Sequence, residues 1–412
     1  MLDAVEQWEP QVRALLPEPG RRERLLSEAS ALLERFPDPA ARPPLFGALV
    51  GVKDIFAVDG FPTRAGSALP PEELEMPEGH CVARLRAAGA LVLGKTVTTE
   101  FAFTAPGATT NPHDASRTPG GSSSGSGAAV ACGYAPLALG SQTVGSVIRP
   151  AAFCGVVGFK PSYGRIPSDG MLLFSESVDC VGLLAADTET AALAASLVFD
   201  DWTPLADPRP GKATLGVPDG PYLERADAEA RAAFEEQIAA LERGGFAVRR
   251  VPALEDIAEI VRRHLELIAA EFARVHALRA ARWGALFRGQ SAALFDWGRA
   301  LGDAEIAAGR DSSRRTRAVL ASQMDEHGFD LWVSPAAPGA APTGLHHTGD
   351  AVMNLVWTHA HMSALTLPAG RTKNRLPLGL QLCARVGDDE RLLAWVSEIA
   401  AVFDGAAHLS SG

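Results

Sequence analysis

Lysine is scarce in this chain. Of 38 basic residues only Lys53, Lys95, Lys160, Lys212 and Lys373 are lysines; the rest are arginines. That makes each lysine informative, because lysine can give up its proton at accessible cost and arginine cannot. Cysteine is sparse too. The five, Cys81, Cys132, Cys154, Cys180 and Cys383, are odd in number and include no C-x-x-C pair. This excludes a disulfide framework as the basis of the fold and favours a reducing, cytoplasmic setting, with each thiol a small core residue. There is no run of about 18 apolar residues and no apolar core in the acidic amino-terminal stretch, so neither a membrane span nor a signal segment is expected. No basic block occurs, and the formal net charge is −11. A phosphate-neutralising face, and with it nucleic-acid binding, is excluded.

What the chain does have is length and apolar content. Its 412 residues are 47% hydrophobic, enough for a substantial core. It also has a Gly/Ser run, Thr118-Pro119-Gly120-Gly121-Ser122-Ser123-Ser124-Gly125-Ser126-Gly127. Such composition usually makes a flexible linker. Here it runs directly into Ala128-Ala129-Val130-Ala131 and then Ala135-Pro136-Leu137-Ala138-Leu139, which read as core. Glycines held in an ordered place let backbone N–H groups converge on a small target.

The rest of the chain alternates helix and strand. Residues 3–36 read as one or two amphipathic helices broken near Pro17-Glu18-Pro19-Gly20. A buried strand over 45–52 delivers Lys53 at its end; 79–89 reads as a helix, 91–93 as a strand and 125–132 as a helix. Asp187 or Thr188 caps a helix running to Phe199. A boundary is expected at 204–211, then a strand–helix–strand unit at 213–217, 226–243 and 246–251. Residues 254–325 read as all helical; strands return at 330–334, 365–367 and 378–383, and a last helix starts near Asp388. This alternation indicates an α/β fold.

Five separated segments resemble the amidase signature family: Gly51-Val52-Lys53-Asp54, Gly120-Gly121-Ser122-Ser123, Gly145-Ser146, Gly158-Phe159-Lys160-Pro161 and Leu376-Pro377-Leu378-Gly379-Leu380-Gln381. Ser122 and Ser146 are 24 residues apart, as in that family. The resemblance implies a single large α/β/α domain around a twisted mixed sheet. Its parts would be an N-terminal helical segment (1–44), a signature core (45–204), a strand–helix–strand unit with a helical insertion (205–329) and the C-terminal part of the core (330–412). It implies a cofactor-independent amidase with a Ser–Ser–Lys triad: Ser146 as nucleophile, Ser122 as bridging serine, Lys53 as general base. It also implies a cis peptide bond between Gly121 and Ser122. The oxyanion hole would be the backbone of Thr143, Val144, Gly145 and Ser146. Val144 stands where the family usually has glycine, and valine tolerates positive φ badly, so a loop that needs such a conformation would be strained.

The stretch from Gln142 to Ala151 is similar to the malonamidase-type branch. There the arginine corresponding to Arg149 holds a substrate carboxylate, and Gly121 and Gln142 are the other expected substrate contacts. The alternative for Arg149 is a buried pair with Asp169 or Asp179; for Lys53 it is a salt bridge to Asp54. The pocket walls are expected from 100–115, the helical insertion and 330–365. His346-His347 and His359-Ala360-His361 raise a metal site, but acidic and cysteine partners at ligand spacing are missing, so no metal is expected and the histidines read as surface or satisfied groups. The substrate is then a small amide. The rival readings are a glutamine-hydrolysing amidotransferase component that works with a partner, and a non-catalytic binder on the same scaffold. A homodimer is left open.

Overall fold

The computed structural model describes residues 1–207 and 211–407, with side chains to residue 403. Ten strands form one mixed sheet: β1 (Leu49–Lys53), β2 (Leu91–Thr96), β3 (Leu137–Gln142), β4 (Val157–Lys160), β5 (Cys180–Ala185), β6 (Leu215–Asp219), β7 (Val248–Pro252), β8 (Leu331–Pro335), β9 (Ser363–Arg371) and β10 (Pro377–Ala384). Their order is β2-β1-β3-β5-β4-β9-β10-β8-β6-β7. Pairing is parallel at both ends of the sheet and antiparallel from β3 to β8.

Five strands, β1, β3, β4, β5 and β8, are buried along their whole length, as a sheet covered on both faces requires. Strand β4 shows the two layers directly, because neighbouring residues point to opposite faces. A side chain at Gly158 would run into Ala151 of helix Ile148–Cys154. Phe159, one step on, stacks on Phe199 beyond helix Thr188–Val198. Strands β6 and β7 complete this sheet, so the strand–helix–strand unit is part of the same core. The boundary expected at 204–211 lies partly outside the described residues.

The end of the Gly/Ser run, from Ser124 to Gly127, opens helix Ser124–Ala131, which is buried from Ser124 to Val130. It can lie there because Gly125 has no side chain: a Cβ would come within 2.3 Å of the Val97 nitrogen. Ser126 stitches it to the sheet: its Oγ donates to Leu139 O at 2.8 Å and meets Thr96 Oγ1 at 2.7 Å, while the Gly125 N–H donates to Val97 O at 2.9 Å. The helical insertion holds Ile257–Val275, Ala277–Trp283, Gly289–Gly298 and Asp303–His327. Helices Ile148–Cys154 and Val352–His359 carry no clear period in the sequence; both are buried on all sides. Among the described residues no helix is long and apolar enough to cross a membrane.

Asp54, which follows β1, pairs with Lys95 of β2 at 2.8 Å, and both side chains are almost fully buried. This overturns the alternative that placed Asp54 on Lys53. Breaking one half of a buried pair leaves a lone charge and costs about 3–5 kcal/mol. Lys95→Met should therefore lower unfolding free energy in urea by about that much, and adding Asp54→Asn should recover a large part. Unchanged stability in the single variant would show that the pair contributes nothing.

Candidate active site

Strand β1 ends by pushing Lys53 into the interior, where its side chain is inaccessible to solvent. Its Nζ donates to Ser122 Oγ at 2.7 Å and to Ser141 Oγ at 2.8 Å. Burial penalises the ammonium form and pulls the amine down from 10.5 to about 7, against the opposing pull of Asp179. Asp179 is pushed up to about 6 by its own burial. It accepts from Thr143 Oγ1 at 2.6 Å and from the Phe174 and Ser175 amides. The peptide bond between Gly121 and Ser122 is cis. Ser146 lies beyond β3, and its carbonyl accepts the Ser123 N–H at 3.3 Å, tying the two serine segments together.

The loop from Thr143 to Ser146 is held from behind. Thr143 O accepts His264 Nε2 at 3.1 Å, and Val144 O accepts Thr358 Oγ1 at 2.8 Å. In a trans peptide the N–H points opposite to its carbonyl, so anchoring these two carbonyls aims the Val144 and Gly145 amides the other way. Among the described residues no protein acceptor meets the N–H of Val144, Gly145 or Ser146. Val144 is not among the residues with positive φ, so the strain considered for valine does not arise. Gly145 is needed for space: a Cβ would come within 2.4 Å of Asn354 Oδ1.

These groups open on a cavity of about 340 Å³ lined by Ser146, Thr143, Val144 and Arg149. Its apolar wall comes from Phe103, Phe174, Ile268 and Leu355, among others. The expected source segments thus all contribute, with Phe174 and Arg225 added. Arg225 and Asp350 are exposed and mark the open end.

Arg149 is buried. Its guanidinium donates to Gly349 O at 2.8 Å, Gly121 O at 2.6 Å and Thr348 Oγ1 at 3.2 Å, while Nε has no partner. Neither acid named as its alternative partner contacts it: Asp169 binds His80, and Asp179 serves Thr143. Burial lowers Arg149 to about 10, partly opposed by Asp350, so it stays charged at neutral pH. Gln142 does not reach the cavity. Its Oε1 accepts the Val147 and Ile148 amides at 2.9 and 3.0 Å, and its Nε2 donates to Thr358 Oγ1 at 2.9 Å. The expectation that Gln142 touches substrate is corrected: its amide is spent on satisfying the start of helix Ile148–Cys154 and on Thr358. Gly121 is likewise behind the wall, with its carbonyl on Arg149.

The Amidase family model matches residues 2–393. The chain belongs to the amidase signature family. It is 35% identical to a glutamyl-tRNA(Gln) amidotransferase subunit of Thermus thermophilus, over 95% of this chain and 90% of that one. A crystal structure of an amidase superposes with a TM-score of 0.88 at 30% identity, covering 98% of this chain and 94% of the other. The corresponding amidotransferase subunit of Thermotoga maritima gives a TM-score of 0.76 at 25% identity, covering 97% and 89%.

Sequence reasoning missed two groups of this amidase site. Ser141 is the second partner of Lys53, yet it sits in a strand buried on both faces and carries no pattern that sets it apart. His264 lies in a helical segment without motif. The one available signal was its buried position on an otherwise amphipathic helix, which a sequence does not display. Of the histidines considered as metal ligands, His347 meets Thr343 O, His359 meets Ser312 and His361 meets Ser177 O.

A base must be neutral to accept a proton, so kcat/KM for amide hydrolysis should rise with pH through about 7 and level above it. Asp179→Asn removes the charge that favours the ammonium, so the limb should move to lower pH. Lys53→Ala should lower kcat/KM by about 10²–10⁴ and abolish the limb. A limb that persists in Lys53→Ala would give the base role to another group. Val144→Gly should not raise kcat, because the valine backbone is unstrained; a severalfold rise in steady-state rate would contradict this.

Proposed function

We propose that the protein cleaves the C–N bond of a small amide through an acyl-Ser146 intermediate. The supporting observation is the 2.7 Å contact between Ser122 and a fully buried lysine amine held near 7. Ser146 Oγ attacks the carbonyl carbon. Its proton passes to Ser122, whose own proton passes to neutral Lys53. The carbonyl oxygen becomes an oxyanion facing the amides of the Thr143–Ser146 loop, each such donor being worth about 2.7–4 kcal/mol. Collapse returns the proton through Ser122 to the leaving nitrogen, and ammonia or an amine departs. Water then repeats the sequence on the ester. No step calls for a cofactor.

Arg149 supports a carboxylate-bearing substrate. It is a buried cation on the cavity wall with no acid in contact and with one donor unpartnered. A planar guanidinium suits a carboxylate. The malonamidase-type pattern around Ser146 points the same way.

A second reading is favoured by the relatives over a free-standing enzyme. Similarity to a glutamyl-tRNA(Gln) amidotransferase subunit spans nearly the whole chain. In that reading the amide is glutamine's, itself carboxylate-bearing, and the ammonia is handed to a partner protein. The placement of Lys53 and Ser122 argues against a non-catalytic binder.

Ammonia release should be followed from the monoamide of a dicarboxylic acid, from a neutral amide of equal length and from glutamine, with the protein alone and after copurification of partners. Turnover of the monoamide without partners supports the free-standing amidase; glutamine turnover that needs a copurified partner supports the amidotransferase reading. Ser146→Ala should remove all turnover in either case, and retained turnover would end both. Arg149→Ala should reduce kcat/KM for the acid about tenfold or more relative to the neutral amide. An unchanged ratio would make Arg149 structural.

A further inference from the structure

Three buried side chains form a chain of contacts ending on the loop before Ser146. Ser312 Oγ lies 3.0 Å from His359 Nε2, His359 Nδ1 lies 3.2 Å from His264 Nδ1, and His264 Nε2 lies 3.1 Å from Thr143 O. The last partner fixes all the others. A carbonyl can only accept, so His264 Nε2 carries the proton and donates. A neutral His264 then has a lone pair on Nδ1, so His359 Nδ1 must carry a proton and donate to it. His359 Nε2 is thereby an acceptor, and Ser312 donates its hydroxyl proton. Both rings are fully buried by area, and burial holds both far below the usual histidine range, His264 at about 4 and His359 at about 2. The titratable groups that bear on His264 are His361, which opposes its protonation, and Glu271, which favours it.

We infer that Ser312, His359 and His264 form a one-directional hydrogen-bond wire whose task is to hold the Thr143–Val144 peptide so that the Val144 N–H is aimed at the oxyanion. His264 is a positioning residue. It never touches the substrate; it turns a peptide whose other end does. Ser312 and His264 both belong to the helical insertion, on helices Asp303–His327 and Ile257–Val275. Residues Val261, Leu265 and Ile268 of the second helix line the cavity. The insertion therefore shapes the wall and also sets the catalytic backbone.

The inference rests on the acyl-Ser146 reading, and its test separates the two. The probe is an alkyl fluorophosphonate, whose reaction needs no knowledge of the natural amide. Ser146 Oγ bonds to phosphorus, fluoride leaves, the hydroxyl proton passes to Lys53 through Ser122, and negative charge builds on the phosphoryl oxygen. In the wild type the label should map to Ser146 by mass spectrometry. A label on another serine sinks the acyl-Ser146 reading and this inference with it.

With the label on Ser146, His264→Phe should slow labelling about ten- to hundredfold. It should lower kcat for the best amide of the panel by a similar factor and leave KM within about twofold, since only the charged state uses the amide. His264→Gln, which can donate from Nε2 and accept at Oε1, should recover most of both rates. If His264→Phe does not fold, His264→Asn replaces it, because its shorter amide cannot span Thr143 and His359. Nitrogen NMR should show His264 as the Nε2–H form and His359 as the Nδ1–H form, neither titrating between pH 5 and 8. Wild-type labelling rates in folded His264→Phe or His264→Asn, a Gln variant no better than these, a loss confined to KM, or the opposite tautomers would each overturn the inference while leaving the acyl-Ser146 reading intact.

Discussion

Everything in this site depends on keeping one amine dry. Lys53 could serve as a base only in its neutral form, and burial is what brings that form within reach near pH 7. Strand β1 lies between β2 and β3, covered on both faces, and it ends inside the protein. The two hydroxyls at 2.7 and 2.8 Å replace the water that the amine gives up without supplying the charge that would hold its proton. Asp179 bears on it and favours the charged form, but three donors share its charge. Solvent admitted at the end of β1 would restore an ordinary lysine, and the proton path from Ser146 would have nowhere to end.

The second buried lysine of the same strand pair shows what decides between a base and a structural ion. Lys95 is nearly as buried as Lys53, but it faces Asp54 at 2.8 Å. The same strand end thus supplies Lys53 for chemistry and Asp54, one residue later, for stability.

The residues of the proposed triad were legible because they stand in short segments of unusual composition. Ser122 stands in a glycine-rich run that no linker explains, Ser146 follows Gly145, and Lys53 closes an apolar stretch. The α/β alternation was legible from periodicity, and even the cap at Asp187 was found. Strands β3, β4 and β5 were not, although β1 and β8, just as buried, were; full burial removes the alternation that marks a strand, so such strands are read only where another feature flags them. The support of the site was also hidden. Gln142 looked like a substrate contact because it sits four residues before the nucleophile, yet its side chain turns back onto the chain. His264 and Thr358 come from segments with no motif, and their importance arises solely from what folding brings beside them.

The distant origin of those supports has a consequence for biosynthesis. The side chains of the proposed triad all lie in the first 146 residues, but the carbonyls before Ser146 are anchored by partners 121 and 214 positions further along the chain. Contacts of such high sequence separation form late, because the intervening loops must close first. A nascent chain that has emerged only as far as β5 carries Lys53, Ser122 and Ser146 and the Asp179 brace on Thr143, yet lacks His264 and Thr358, which anchor the Thr143 and Val144 carbonyls. The Thr143–Ser146 loop therefore has its full set of anchors only once Val352–His359 has joined the core.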